Sequence, residues 1–159
     1  MAEPGLCHAV VVSTCVACGL IARRDRVEAP LWDSIRRTPC WDVVHAFGTR
    51  VEGWIVLVTR RHITSVADMS DDEAVTLGRL IREVSRSLQV VLGCEKTYVA
   101  QFAEHHDHPH VHVIPRPRNL PSEHRGPEIF GLMGASPDEA VSADRMDEIA
   151  NRLSAELAF

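Results

Sequence analysis

Five of the nine histidines in this 159-residue chain lie in one segment, between His105 and His112. In its second half, histidine recurs at every other position, at His108, His110 and His112. Alternate side chains of a strand share one face, so a strand here would form a row of imidazoles about 7 Å apart and turn Val111 toward a core. Such a row can bind a transition metal, or one ring can attack phosphorus while its neighbours stabilise the developing charge. A solvent-exposed row without a chemical role is the third interpretation.

The cysteines give a second candidate for metal chemistry. There are five, at Cys7, Cys15, Cys18, Cys40 and Cys94. An odd, dispersed set does not favour the disulfide framework of a secreted protein, so we expect a cytoplasmic chain with reduced thiols. Cys15 and Cys18 have the Cys-x-x-Cys spacing that supplies two ligands to one zinc ion. A redox pair and two buried thiols are the alternatives for this pair, and the other three are most simply small apolar residues.

The composition is typical of one globular domain. A chain of 159 residues can bury a sizeable core, and 45% hydrophobic with 25% charged residues indicates a folded protein. A net charge of −5 does not favour a nucleic-acid partner, which requires a basic face. The longest uncharged apolar stretch, residues 54–59, is far too short to cross a bilayer, and the N-terminus lacks a secretory-signal pattern. We therefore expect no membrane association.

Strands and one long helix are predicted around these candidate residues. The strands are at residues 41–47, 54–59, 96–103 and 110–115. Between the second and third, a helix begins at a capping box from Ser70 to Glu73, continues with apolar residues at helical spacing to Val91, and ends at Gly93. The order strand, strand, helix, strand, strand favours an α+β fold with an antiparallel sheet over a parallel arrangement.

The remaining segments are less regular. A C-terminal helix capped by Ser142 is predicted within residues 143–157, and a short helix around residues 31–37. Residues 1–14 form an N-terminal arm, and residues 15–19 form a knuckle around the Cys-x-x-Cys pair. Residues 116–142 have no periodic pattern that assigns an element.

Several of these segments together resemble the histidine triad (HIT) superfamily. The sequence from His108 to Arg116 resembles its signature, His-φ-His-φ-His-φ-φ, followed here by Pro-Arg. The segment from Gly53 to His62 resembles the family's glycine-led strand that ends in a basic residue and histidine, and the capped helix follows as it does there. The Cys-x-x-Cys pair matches the knuckle of zinc-carrying members. The resemblance covers residues 15–118, which we take as the HIT-like domain, with residues 119–159 as an extension packed on it.

The resemblance implies a fold, a mechanism and a zinc site. HIT proteins have an antiparallel sheet with helices and commonly form homodimers. Their middle motif histidine, His110 here, attacks the α-phosphorus of a nucleotide derivative, and the nucleotidyl-histidine is released to water or another acceptor. The third, His112, contacts a phosphoryl or leaving-group oxygen. In zinc-carrying members, the ligands correspond to Cys15, Cys18, His62 and His108, which form a structural site.

The resemblance predicts an enzyme that hydrolyses or transfers nucleoside monophosphate groups. Nucleoside phosphoramidates, dinucleoside polyphosphates and similar compounds are the expected substrates. Two alternatives remain: a nucleotide-binding or regulatory module with little turnover, and a metallo-hydrolase with its metal on the histidine row. Metal that is retained when the middle histidine is replaced would exclude the second.

Three positions depart from the family pattern. The usual phosphate donors, Gln and Ser or Thr, are replaced by Glu104 and His105, so we assign phosphate binding to His105 and Gln101. The acidic residue that commonly holds the ribose is replaced by Thr49. Pro109 interrupts the triad, and because proline has no N–H it must occupy an edge or a gap in the sheet.

Overall fold

The computed structural model describes residues 15–26 and 29–157, and it has the predicted α+β architecture with a five-stranded antiparallel sheet. The helices and strands are α1 (Val16–Arg26), β1 (Arg36–Arg37), β2 (Trp41–His45), β3 (Ile55–Thr59), α2 (Asp71–Leu92), β4 (Lys96–Ala100), β5 (His110–Arg116) and α3 (Ala143–Glu156). Short 3-10 helices occur at Leu31–Asp33, Val66–Asp68, Ser122–His124 and Gly126–Leu132. The predicted arm at residues 1–14, with Cys7, lies outside the described residues.

The sheet places the histidine strand beside its centre. Its strand order is β1-β2-β3-β5-β4, and every neighbouring pair is antiparallel. In the β3–β5 register, Val58 lies opposite His110 and Val56 lies opposite His112. The two histidines therefore share one face of the sheet with these valines, and the intervening Val111 turns to the other face.

Both faces of the sheet are covered, which explains why every residue of β2 and β3 is buried. One face packs on α2 and α3 through residues that include Leu57, Val111 and Leu88. The other packs on α1 and the 3-10 helix Gly126–Leu132 through residues that include Val56 and Ile129. The histidines lie on the second face, so α1 and this 3-10 helix border them.

The helix ends follow the predicted capping chemistry. The Ser70 hydroxyl accepts a hydrogen bond from the Glu73 amide, and the Glu73 carboxylate accepts one from the Ser70 amide. Gly93 ends α2 with a positive φ of 65°. Ser142 caps α3, whose Ile149 lies in the core cluster that also contains residues of α2. The division of the chain at residues 15 and 118 stays a prediction.

Some predicted boundaries are wrong. The predicted knuckle at residues 15–19 leads directly into α1, with Cys18 in its first turn, and residues 31–37 form a 3-10 turn and a two-residue strand where a short helix is predicted. The row of three histidines is shorter than predicted, because β5 begins only at His110. The His108 amide donates to the carbonyl of His106 at 2.7 Å, so His108 lies in a tight turn before the strand. Pro109 fills the gap before the strand, as its missing N–H requires.

No helix within the described ranges combines the length and apolar composition needed to span a membrane.

Candidate metal site and histidine cleft

Four side chains from three separate segments converge beside the start of β5. Cys15 and Cys18 come from the start of α1, His62 follows β3, and His108 precedes β5. Their ligand atoms all lie within 4.8 Å of one another. Nδ1 of His108 is 3.5 Å from Sγ of Cys15 and 3.6 Å from Sγ of Cys18, which is 3.2 Å from Nδ1 of His62. Tetrahedral Zn–S and Zn–N bonds place sulfur and nitrogen ligands about 3.5 Å apart, so the cluster has the spacing that one metal ion requires.

A hydrogen bond on the far side of the ring orients His108 toward the cysteines. Its Nε2 is 2.7 Å from the carbonyl oxygen of Thr59 and 3.0 Å from the Thr59 hydroxyl. Because a carbonyl only accepts, Nε2 carries the proton, and the lone pair of Nδ1 is left for the metal. Burial lowers the pKa of His108, which favours the neutral ring that a ligand needs.

His110 has the opposite hydrogen-bond pattern. Its Nδ1 lies 2.9 Å from the carbonyl oxygen of His108, so Nδ1 carries the proton and donates it to that oxygen. Nε2 therefore keeps its lone pair. This nitrogen makes no hydrogen bond within the described part of the chain, and the ring borders a cleft. A backbone carbonyl thus fixes the orientation of the ring and leaves Nε2 with the lone pair that a nucleophile would need.

His112 lies in an aromatic enclosure. The indole N–H of Trp54, a fully buried residue, donates to its Nδ1 at 3.0 Å. The edges and faces of Trp54, Phe130 and His110 surround the ring, and the His110 and His112 centroids are 5.0 Å apart. Burial first, and then the neighbouring His110, lowers the pKa of His112 to about 4, so the ring is neutral near pH 7.

Two cavities meet at His110 and His112 and together form the histidine cleft. The first, of about 300 Å³, lies between α1 and strands β2 and β3, and Leu20, Val44 and Val56 contribute to its largely apolar walls. The second, of about 550 Å³, lies between the β4–β5 loop and the 3-10 helix Gly126–Leu132. Its apolar walls include Phe102, Pro127, Phe130 and Met133.

Of the two predicted phosphate donors, one lines the cleft and the other does not. His105 lines the second cavity together with Glu104, whereas Gln101 does not contribute to its walls. Thr49, at the expected ribose position, is 1% exposed, and its hydroxyl accepts from the amide of Val51, so it serves the local turn. Glu52, the nearest carboxylate in sequence, forms an ion pair with Arg145 on α3.

The structure adds cleft residues that the sequence did not indicate. Phe130 and Met133 come from the stretch without a periodic pattern, and Trp54 reads as an ordinary strand residue. Asp33 is the carboxylate that lines the first cavity, where it is buried against the guanidinium of Arg24 at 2.7 Å. Arg24 lies on α1 and Asp33 on the 3-10 helix Leu31–Asp33, so the pair depends on how these two elements pack and no local sequence pattern indicates it.

His45 also lines the first cavity, but its ring has a structural role. Its Nδ1 lies 2.6 Å from the Ala46 carbonyl, and its Nε2 accepts from the Gly53 amide at 2.9 Å. Burial lowers the pKa of His45, consistent with a neutral ring that connects β2 to the turn before β3. With both nitrogens engaged, this ring is not available for catalysis.

Solved structures of histidine triad proteins share this arrangement of strands and helices. A histidine triad protein from Bradyrhizobium japonicum is 23% identical and has a TM-score of 0.66 over 78% of this chain and 89% of that chain. A zinc-bound histidine triad family protein from Mycobacterium smegmatis is 16% identical and has a TM-score of 0.64 over 91% and 94%. The chain has the histidine triad fold. No family model and no curated protein matches the sequence itself.

Within the histidine triad fold, a third neighbour has a named activity. The diadenosine triphosphate hydrolase of Plasmodium falciparum is 18% identical and has a TM-score of 0.58 over 76% of this chain and 73% of that chain. At such identities the likeness establishes the fold, and the function has to be argued from the site. The resemblance predicted from the sequence is confirmed at the level of the fold.

Proposed function

We propose that this protein hydrolyses or transfers nucleoside monophosphate groups through a nucleotidyl intermediate on Nε2 of His110. One observation carries the proposal: the His108 carbonyl holds the proton of His110 on Nδ1, so the lone pair of Nε2 faces the cleft. In the first step this lone pair forms a bond to phosphorus while the bond to the leaving group breaks, and the leaving group keeps the electron pair of that bond and takes a proton from solvent. The ring then carries positive charge, which the Nδ1–H···O=C hydrogen bond stabilises. Water or another acceptor next displaces the histidine.

The two cavities suggest how a substrate is divided across the site. The first has apolar walls from α1, β2 and β3 and is suited to a nucleobase. The second would take the leaving group, and its lining includes Phe102 and Phe130, whose rings meet edge to face at 5.1 Å. The phosphoryl group would lie between the cavities, beside His110 and His112.

The charge of the second cavity favours an amine over a polyphosphate as the leaving group. No lysine or arginine is among the residues that line it, and Glu104 contributes a carboxylate. A departing polyphosphate would meet apolar walls and a negative charge without a cation to balance it. An apolar amine fits both the walls and the carboxylate, so we propose nucleoside phosphoramidates as the preferred substrate class.

The metal cluster is connected to the same site through His108. We propose that Cys15, Cys18, His62 and His108 hold a structural zinc ion. A ligand set of two thiolates and two imidazoles, with no position for substrate, is typical of closed zinc sites. The His108 ring would be fixed by the metal while its carbonyl orients His110, so the metal stabilises the nucleophile without entering the reaction. The predicted homodimer and cytoplasmic location stay predictions.

The test is turnover of a substrate panel by the wild type and by His110→Ala. The panel contains adenosine phosphoramidates with aryl, alkyl and unsubstituted amines, and a diadenosine polyphosphate. We expect the aryl and alkyl phosphoramidates to give the highest kcat/KM, and His110→Ala to lower kcat by about 10³-fold or more. His124→Ala, a histidine in the 3-10 helix Ser122–His124, is the matched control and should retain activity.

Intact-mass analysis after an alkaline denaturing quench should detect one nucleotidyl group on the wild type and none on His110→Ala. Equal turnover by both proteins would reject the nucleophile assignment.

A nucleotide-binding module with little turnover is the second candidate. The observation that favours it is Glu104 beside the expected phosphoryl position, with no arginine or lysine in the second cavity. Binding of a non-hydrolysable nucleoside phosphoramidate analogue without turnover of any substrate would support this candidate over the enzyme.

A further inference from the structure

His110 and His112 are neighbours on one face of β5, but the hydrogen bonds at their Nδ1 atoms run in opposite directions. The His108 carbonyl accepts at Nδ1 of His110, whereas the Trp54 indole donates to Nδ1 of His112. One partner can only accept and the other can only donate. The two rings therefore carry their protons on different nitrogens.

We infer that Trp54 is a positioning residue that fixes His112 in the Nε2–H tautomer and so makes it a neutral hydrogen-bond donor toward the cleft. The inference rests on the proposed function for its consequence in catalysis. The tautomer itself follows from the hydrogen bond alone.

The indole imposes this tautomer because it has one N–H and no lone pair to accept with. A proton on Nδ1 of His112 would face the indole N–H at 3.0 Å with no acceptor between them. Both the Nδ1–H tautomer and the imidazolium would break this hydrogen bond. Trp54 cannot easily move away, because it is fully buried and packs on Phe130 with centroids 5.1 Å apart.

The other nitrogen of His112 is then left to act in the cleft. Nε2 makes no hydrogen bond within the described residues, and His112 borders both cavities. Its N–H can donate to a phosphoryl oxygen as negative charge develops there. Since the ring is neutral near pH 7, it supplies a hydrogen bond and not a positive charge. His110, in the Nδ1–H tautomer, would thus attack phosphorus, and His112, in the Nε2–H tautomer, would stabilise the charge that develops.

The direct test is nitrogen-15 NMR of the histidine side chains in the zinc-loaded protein, with Trp54→Phe and Trp41→Phe as the matched pair. Both tryptophans are fully buried, and each donates its indole N–H, that of Trp41 to the Glu73 carbonyl and the Thr76 hydroxyl far from the cleft. The wild type should show His112 with a pyridine-type Nδ1, a pyrrole-type Nε2, and a scalar coupling across the hydrogen bond to Trp54 Nε1.

Trp54→Phe should lose this tautomer preference and lower kcat on the phosphoramidate panel by about five- to tenfold, the value of one neutral hydrogen bond. Trp41→Phe should leave the His112 spectrum unchanged although it loses similar packing. A protonated Nδ1 in the wild type, or the same His112 spectrum in the wild type and Trp54→Phe, would overturn the inference.

The coupling is measured on the wild type, so its presence or absence decides the tautomer even if Trp54→Phe does not fold. The spectra need no turnover either, so an inactive wild type would reject the proposed function and leave the tautomer test intact.

Discussion

His108 and His110 are two residues apart, yet their rings face different chemistry. His108 donates from Nε2 to the Thr59 carbonyl and turns Nδ1 toward two cysteines. His110 donates from Nδ1 to the His108 carbonyl and leaves Nε2 to the cleft. In each case a backbone carbonyl selects the tautomer, and the nitrogen that it leaves free suits the role that we propose for the ring, a metal ligand at His108 and a nucleophile at His110.

The two candidate sites are linked through His108. His108 contributes its side chain to the candidate metal cluster and its carbonyl to His110, so a single residue couples the proposed zinc site to the proposed nucleophile. Loss of the metal should therefore disturb the nucleophile, whereas loss of the nucleophile should leave the metal in place. Mutations at the two sites can test this asymmetry.

The largest effect is expected from removal of a metal ligand. Cys18→Ser should abolish stoichiometric zinc binding and lower Tm by roughly 10 °C, equivalent to about 4 kcal/mol, because the metal joins α1 to the segments before β5 and after β3. Atomic absorption and thermal unfolding measure the two quantities. The proposed coupling further predicts a lower kcat.

Two controls sharpen this experiment. Cys40→Ser alters a partly buried cysteine outside the cluster and should keep one zinc ion per chain. His110→Gln should lose turnover and also keep its zinc. If His110→Gln lost the metal, the ion would be on the histidine row, and the distinction between a ligand and a nucleophile would be wrong.

Local sequence signals predicted what depends on local structure. The caps at Ser70, Gly93 and Ser142 follow from hydrogen bonds between residues close in sequence, and all three are confirmed. The Cys-x-x-Cys pair and the two histidines joined to it by resemblance do come together.

What the sequence did not predict depends on contacts between distant residues. Trp54 meets His112 only through the register of β3 against β5. Phe130 reaches the cleft on a 3-10 helix, an element too short to produce an apolar period. The turn that places His108 before β5 involves a hydrogen bond between neighbouring backbone groups, for which side-chain types give no signal.

A pH-dependent stability difference is the next largest expectation. The pKa of His112 is lowered to about 4, below the value of about 6.5 for an unfolded histidine. Between these values the unfolded state binds a proton at this residue that the folded state does not, so the free energy of unfolding falls as the pH falls. The loss from pH 7 to pH 5 should be about 2 kcal/mol.

Urea unfolding of the wild type and His112→Gln at both pH values, with zinc present, measures this contribution. The difference between the two proteins cancels the pH dependence of the metal ligands. His112→Gln should therefore lose less stability than the wild type between pH 7 and pH 5. Equal losses would mean that folding does not lower the pKa of His112, and that the aromatic enclosure does not keep the ring neutral at pH 5.

The smallest effect tests whether carbonyls alone select the tautomers. Thr59 offers His108 both a carbonyl oxygen at 2.7 Å and a hydroxyl at 3.0 Å, and the hydroxyl also donates to the Pro109 carbonyl at 3.3 Å. Thr59→Val keeps the carbonyl and the side-chain shape. We expect the free energy of unfolding to fall by about 1 kcal/mol. Zinc affinity, measured by competition with a chromophoric chelator, should fall by less than tenfold.

Thr97→Val is the matched control, since it removes a partly buried hydroxyl on β4 that bonds Ser85 and is remote from the cluster. It should affect stability to a similar degree and leave zinc affinity unchanged. A drop of a hundredfold or more in Thr59→Val alone would show that the hydroxyl is the main anchor of the His108 ring. A hydroxyl would then orient His108 and a backbone carbonyl would orient His110. The statement that a carbonyl selects the tautomer would hold for His110 alone.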